Sequence, residues 1–234
     1  MFLPRCLPLA TCAAAGLVLS LTGVLAAAEK DPAERTIELD DGDRIIFFGD
    51  SLTAQGTGPD GYVTLVRNAL KEKHPKLKLE VDSVATGGHK VTDLLKRVDK
   101  DVIAQKPTIV FIQIGVNDAG AGVTQDQFRE QLEELIGRLQ DGGAKVILCS
   151  LTSLGEKHDG TNRIDGRLEE LAGVARELAK DLDIPLNDLR KAFVEYWKEH
   201  NPDNKDKGIL TYDGNHFNET GQKFVAEQML GKLE

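Results

Sequence analysis

The chain has 234 residues, 41% of them hydrophobic and 5% aromatic, with 29 basic against 38 acidic side chains and a formal charge of -9. That length buries a substantial core and suits one domain better than two. An acidic chain with no Lys/Arg cluster argues against nucleic acid or anionic lipid as a partner.

Residues 1–28 carry a single charge, Arg5, then an apolar stretch, and end in Ala26-Ala27-Ala28 before Glu29. This pattern reads as a secretory signal peptide and predicts a secreted or periplasmic chain. Two competitors are an uncleaved membrane anchor over residues 6–28 and a lipid anchor on Cys12. Pro8, Thr11, Ser20 and Thr22 interrupt the apolar run, and Thr11 poorly matches the small residue that a lipid signal places before its cysteine. Nothing after residue 28 is apolar enough to cross a membrane. Cleavage would remove Cys6, Cys12 and Arg5, leaving Cys149 without a disulfide partner and shifting the charge from -9 to -10.

Residues 29–43, EKDPAERTIELDDGD, are charged, with one early proline, and are expected to form a tether ending in a turn. From residue 44 onward, short apolar runs alternate with helical patterns. The runs cover residues 44–48, 77–84, 108–114 and 144–149, with a weaker one at 184–187. Tyr62, Leu65, Val66, Ala69 and Leu70 fall at helical spacing, as do Phe128, Leu132, Leu135, Ile136 and Leu139. Ile164, Leu168, Leu171, Ala175 and Leu178 form another such stripe, and Phe224, Val225 and Met229 a shorter one.

Strands separated by helices imply right-handed crossovers and a parallel sheet covered on both faces. The near-continuous apolar runs IIFF and IVFIQI fit strands buried on both sides. The expected fold is therefore α/β: a three-layer α/β/α sandwich, flavodoxin-like, with about five parallel strands over residues 44–234. Ligand is expected beyond the carboxyl ends of those strands.

In that architecture the residues just after each strand converge on one rim. They are Gly49-Asp50-Ser51, then Ala85-Thr86-Gly87-Gly88-His89, then Gly115-Val116-Asn117-Asp118. A fourth piece, Tyr212-Asp213-Gly214-Asn215-His216-Phe217, precedes the last helix. Asp213 and His216 are three apart, so one turn can aim both side chains the same way and let the carboxylate orient the imidazole. Such a histidine can take the proton of a serine hydroxyl as it attacks an acyl carbonyl. The developing oxyanion then needs donors, and the N–H groups of Ser51 and Gly88 with the Asn117 amide would supply three. Taken singly, each piece also reads as a turn or a helix cap.

In this order and at these positions the four blocks resemble those of the SGNH hydrolases, also called GDSL-type esterases and lipases. The chain has GDSL at 49–52, TGGHKVTDLL at 86–95, GVND at 115–118 and DGNH at 213–216. The resemblance spans roughly residues 44–230. It implies Ser51 as nucleophile, His216 as base, Asp213 as its partner, and Gly88 and Asn117 as further oxyanion donors. Gly88 is chosen over Gly87 by setting Asp93-Leu94-Leu95 against the family's Asp-Leu-Leu. The second block departs from the pattern, with Ser83-Val84-Ala85 where many members have Asn-x-Gly, and His89 where aspartate is common. His89 is read as a solvent-exposed loop residue, with contact to the acyl or leaving group as the alternative, and Phe217 as packing.

Competing chemistries lack their motifs. Ser51 is not in Gly-x-Ser-x-Gly. The glycines of residues 49–61 are not followed by Gly-Lys-Ser/Thr, nor do they form a dinucleotide fingerprint. The five histidines are dispersed, so neither metal nor any other cofactor is expected. The expected activity is ester hydrolysis through an acyl-enzyme, on short acyl groups and acetyl above all, in a small-molecule or glycan ester. Longer acyl chains, as in a lysophospholipase or acyl-thioesterase, are the alternative within the same chemistry. A non-catalytic ligand-binding module is the alternative outside it. Oligomeric state leaves no mark in the sequence.

Overall fold

A computed structural model describes Met1 and residues 30–234. Apart from Met1, the expected signal peptide at residues 1–28 lies outside the described residues. Strands β1 (Arg44–Gly49) and β2 (Glu80–Ala85) are separated by α1 (Ser51–Gln55) and α2 (Tyr62–Lys73). Helices α3 (Val91–Leu95) and α4 (Val98–Asp101) lead to β3 (Ile109–Gln113). Next come α5 (Val116–Ala121), α6 (Gln125–Asp141), β4 (Lys145–Cys149), α7 (Asp165–Asp181) and β5 (Leu186–Asn187). The chain finishes with α8 (Leu189–His200) and α9 (Glu219–Leu230).

The strands form one parallel sheet in the order β2-β1-β3-β4-β5. The step from β1 to β2 runs one way along the sheet, and every later step runs the other way. Right-handed crossovers therefore place α2 on one face and the helices between β2 and β5 on the opposite face. The packing agrees: α2 lies on α9, while α6 lies on α3, α4 and α7. This is the three-layer fold expected from the apolar runs.

Strand β1 shows why an unbroken apolar run is needed. Ile45, Ile46, Phe47 and Phe48 are all fully buried, because both faces are covered. Phe47 meets Tyr62 of α2 edge-on and stacks on Phe111 of β3 with centroids 4.7 Å apart. Phe48, on the other face, lies under the Arg97 guanidinium at 4.8 Å.

Four details differ from the sequence reading. The segment expected as a tether is packed, with Ile37 and Leu39 buried. Ile37 bridges Leu233 in parallel, through Ile37 N–H to Lys232 C=O (2.9 Å) and Glu234 N–H to Ile37 C=O (3.0 Å). A two-residue apolar face is enough to dock there, despite the charges around it. Strand β2 begins at Glu80 rather than residue 77, because β1 begins at Arg44, opposite Glu80, and offers no partner earlier. β5 shrinks to two residues. Helix α8 was not anticipated: it buries Leu189, Phe193 and Trp197, one residue per turn, and Phe193 packs on Phe217.

Candidate active site

The winding of the chain along the parallel sheet reverses between β1 and β3, so the loops leaving these neighbouring strands diverge and open a crevice at their carboxyl ends. Ser51 follows β1 and Asn117 follows β3, which places both at that crevice. Gly49 is needed for close packing: a Cβ there would collide with the Gln113 carbonyl and the Thr53 hydroxyl. Asp50 then caps α1, its Oδ1 accepting the Leu52 N–H at 3.0 Å. Beneath Ser51, the Tyr62 hydroxyl donates to Thr53 Oγ1 (2.8 Å), which donates to Gln113 Oε1 (3.1 Å) and ties α1 to β3.

The loop at 211–217 folds back on itself, with an antiparallel bridge between Thr211 and Phe217 and the Tyr212 N–H donating to His216 C=O at 3.0 Å. Asp213 organises its tip. Its Oδ1 accepts the N–H groups of Asn215 (2.9 Å) and His216 (2.7 Å), and its Oδ2 lies 2.7 Å from His216 Nδ1. A carboxylate only accepts, so Nδ1 carries a proton and donates, leaving Nε2 of the neutral ring as an acceptor. His216 Nε2 lies 3.1 Å from Ser51 Oγ. Partial burial opposes ionisation of Asp213, but the bonds from the His216 ring and the two N–H groups outweigh it and hold the carboxyl below its ordinary value. The arrangement can draw a proton from Ser51 and stabilise the imidazolium that results.

The donors around Ser51 differ in readiness. Ser51 is the first residue of α1, so its N–H lacks an intrahelical acceptor. The β2–α3 loop runs alongside: a Cβ on Gly87 would sit 3.7 Å from the Ser51 Cβ. Gly88 has φ +76°, a conformation that favours glycine, and a Cβ there would meet no protein atom. Asn117 is more committed than its motif implied. Its Nδ2 donates to His89 C=O at 3.0 Å and to Asp50 Oδ2 at 3.3 Å, so both amide hydrogens already have acceptors. His89 is partly buried rather than solvent-exposed, with Nδ1 enclosed and unpartnered. Phe217 is packing, buried between Tyr62 and Phe193.

Two acids that surround these groups escaped the sequence reading. Asp50 is a cap and a partner of Asn117, and burial pushes its carboxyl up to about 6 despite the Leu52 N–H. Glu156, in the segment after β4, is fully buried. Its carboxylate accepts three consecutive backbone N–H groups, from Ile209 (2.7 Å), Leu210 (2.7 Å) and Thr211 (2.6 Å). Gly155 N–H also donates to Gly214 C=O at 2.6 Å. Glu156 therefore holds the loop that carries Asp213 and His216. Its partners are main-chain groups, which leave no residue-type signature.

A family model described as GDSL-like Lipase/Acylhydrolase matches residues 47–224. The structure superposes on that of an acetyl xylan esterase, AlAXEase, at 38% identity with a TM-score of 0.77, covering 80% of this chain and 98% of that one. An acetylxylan esterase of Geobacillus stearothermophilus is 26% identical over 219 residues, covering 84% of this chain and 96% of that protein. An uncharacterized lipoprotein of Bacillus subtilis (strain 168), YqeF, is 27% identical over 215 residues, covering 78% and 86%. The match takes in the strands and loops that meet at Ser51, and the chain belongs to the GDSL-like lipase/acylhydrolase family, the SGNH hydrolases, as a serine carboxylic ester hydrolase.

Proposed function

We propose that the chain is an exported acetylesterase acting on acetylated carbohydrate, with Ser51 as nucleophile, His216 as general base and Asp213 orienting the base. The observation that carries the catalytic assignment is the continuous relay from Asp213 Oδ2 through His216 to Ser51 Oγ, at 2.7 and 3.1 Å. In the first half-reaction, Ser51 Oγ attacks the acetyl carbonyl while His216 Nε2 takes its proton. The oxyanion meets the N–H groups of Ser51 and Gly88 and the Asn117 amide, which exchanges its longer bond to Asp50 for the substrate oxygen. His216 then protonates the departing alkoxide, leaving an acetyl-enzyme. Water, deprotonated by His216, releases acetate and restores Ser51.

The acetyl preference draws support from the two relatives named as acetylxylan esterases. Export draws support from the pattern of residues 1–28 and from the relative named as a lipoprotein. Cleavage before Glu29 would be read as the mass of the mature chain.

The catalytic test is labelling by a fluorophosphonate probe. Labelling should occur in the wild type and vanish in Ser51→Ala, and Ser51→Ala and His216→Ala should each lower kcat on the order of 10⁴-fold or more. A folded wild type that neither labels nor hydrolyses any ester would overturn the assignment. For the substrate, a series of esters of rising acyl length and acetate release from acetylated xylan decide the class. Preference for long acyl chains with no acetate release would replace the carbohydrate reading by a lipid one.

A further inference from the structure

We propose that Tyr212, held in place by Gln55, is the binding platform for the sugar ring that bears the acetyl group. This inference rests on the carbohydrate reading above and adds to it the residues that recognise the alcohol half of the ester.

The direction follows from the chemistry. The carbonyl oxygen turns towards the donors at Ser51, Gly88 and Asn117, whereas the leaving oxygen must receive its proton from His216 Nε2. The alcohol half therefore departs on the His216 side of Ser51. Tyr212 lies on that side: its ring is nearly parallel to the His216 imidazole, at 16°, with centroids 5.8 Å apart.

Tyr212 is also exposed. Among the described residues, the large hydrophobic side chains that stand exposed are Met1 and Tyr212, the latter at 55%. A solvent-facing ring beside the acid/base group is a surface awaiting an apolar face. It is fixed in advance, since its hydroxyl accepts from Gln55 Nε2 at 2.9 Å and its N–H is bound to His216 C=O. Little ordering entropy then remains to be lost on binding. Gln55 closes α1, four residues after Ser51, so it lies on the same helix face as the nucleophile.

The polar atoms complete the match. The Tyr212 hydroxyl, which accepts from Gln55, keeps its own hydrogen to donate. An aromatic face edged by a hydroxyl donor suits a pyranose, which presents C–H bonds on its face and hydroxyls around its rim. A simple alkyl alcohol would use neither the ring face nor the edge hydroxyl.

The test compares two acetates in Tyr212→Ala and Tyr212→Phe, on full-length protein. Ethyl acetate has no ring to stack, and acetylated xylobiose has one; p-nitrophenyl acetate is unsuitable because its leaving group is itself aromatic. In Tyr212→Ala, the ratio of kcat/KM for acetylated xylobiose to that for ethyl acetate should fall at least tenfold, mainly through KM. Tyr212→Phe keeps the ring but loses the bond to Gln55, and should fall between Tyr212→Ala and the wild type. An equal loss on both acetates would make Tyr212 a support for His216 and overturn the platform, as would an unchanged ratio. If the wild type itself fails to deacetylate xylobiose while hydrolysing ethyl acetate, the carbohydrate reading and the platform fall together. A wild type active on both, with an unaltered ratio in Tyr212→Ala, removes the platform alone.

Discussion

Burial lifts the carboxyl of Asp50 from 3.8 to about 6 against the Leu52 N–H, and lifts that of Asp118 from 3.8 to about 6 against the Val91 N–H. Asp118 Oδ2 is enclosed without a partner, so its ionised form is poorly solvated. Both folded values lie above the unfolded value. Between roughly pH 4 and 6 the folded state therefore binds more protons, and the contribution of this pair to stability falls as pH rises through that window. Asp118→Asn should flatten the slope and raise stability at pH 7.5 by ~1–3 kcal/mol. Urea unfolding at pH 4, 5, 6 and 7.5 reads the difference; an unchanged slope would mean that Asp118 titrates normally. Asp50 differs in that its charge also holds Asn117, so the pH that ionises it strengthens its grip on an amide that the proposed oxyanion must share.

At the scale of elements, the loop that carries Asp213 and His216 is held from the side by Glu156 as well as by its own contacts. Glu156→Gln replaces one acceptor oxygen with an N–H₂ group, which faces at least one of the three N–H groups it formerly bound. The expected loss is ~1–3 kcal/mol of stability and, at temperatures where the variant is fully folded, a fall in kcat of roughly 10- to 100-fold with little change in KM. A stability loss without any change in kcat would make Glu156 a structural residue only. Helices were legible wherever several apolar residues share a face, as in α6 and α7. Helix α8 was not, because its stripe is one residue wide and sits among Arg190, Lys191, Glu195 and Lys198. The family's sequence blocks were legible because they are patterns of side chains at short spacings. Glu156 and the prior engagement of Asn117 were not, because main-chain partners and competing acceptors appear only once the loops are folded together.

Across the whole molecule, strand order brings Ser51 and Asn117 to one crevice; a parallel sheet covered on both faces was readable from the apolar runs, but the order of its strands was not. The pairing of residues 37–39 with 232–234 was not readable, since Ile37 and Leu39 stand alone among charges. If that segment were a tether, Ile37→Ser would be silent. With Ile37 6% exposed and Leu233 3% exposed, Ile37→Ser and Leu233→Ser should each cost about 2–4 kcal/mol, and the double variant less than their sum, because the two residues are neighbours. Urea unfolding of the three variants decides it.

That same pairing carries a consequence for timing. The seam joins residues 37–39 to residues 232–234, so it cannot close until residue 234 has emerged from the ribosome or, for an exported chain, from the translocation pore. Contacts between distant parts of a chain form late. The buried seam is thus a latch that engages after the sheet strands between residues 44 and 187 are already free to fold.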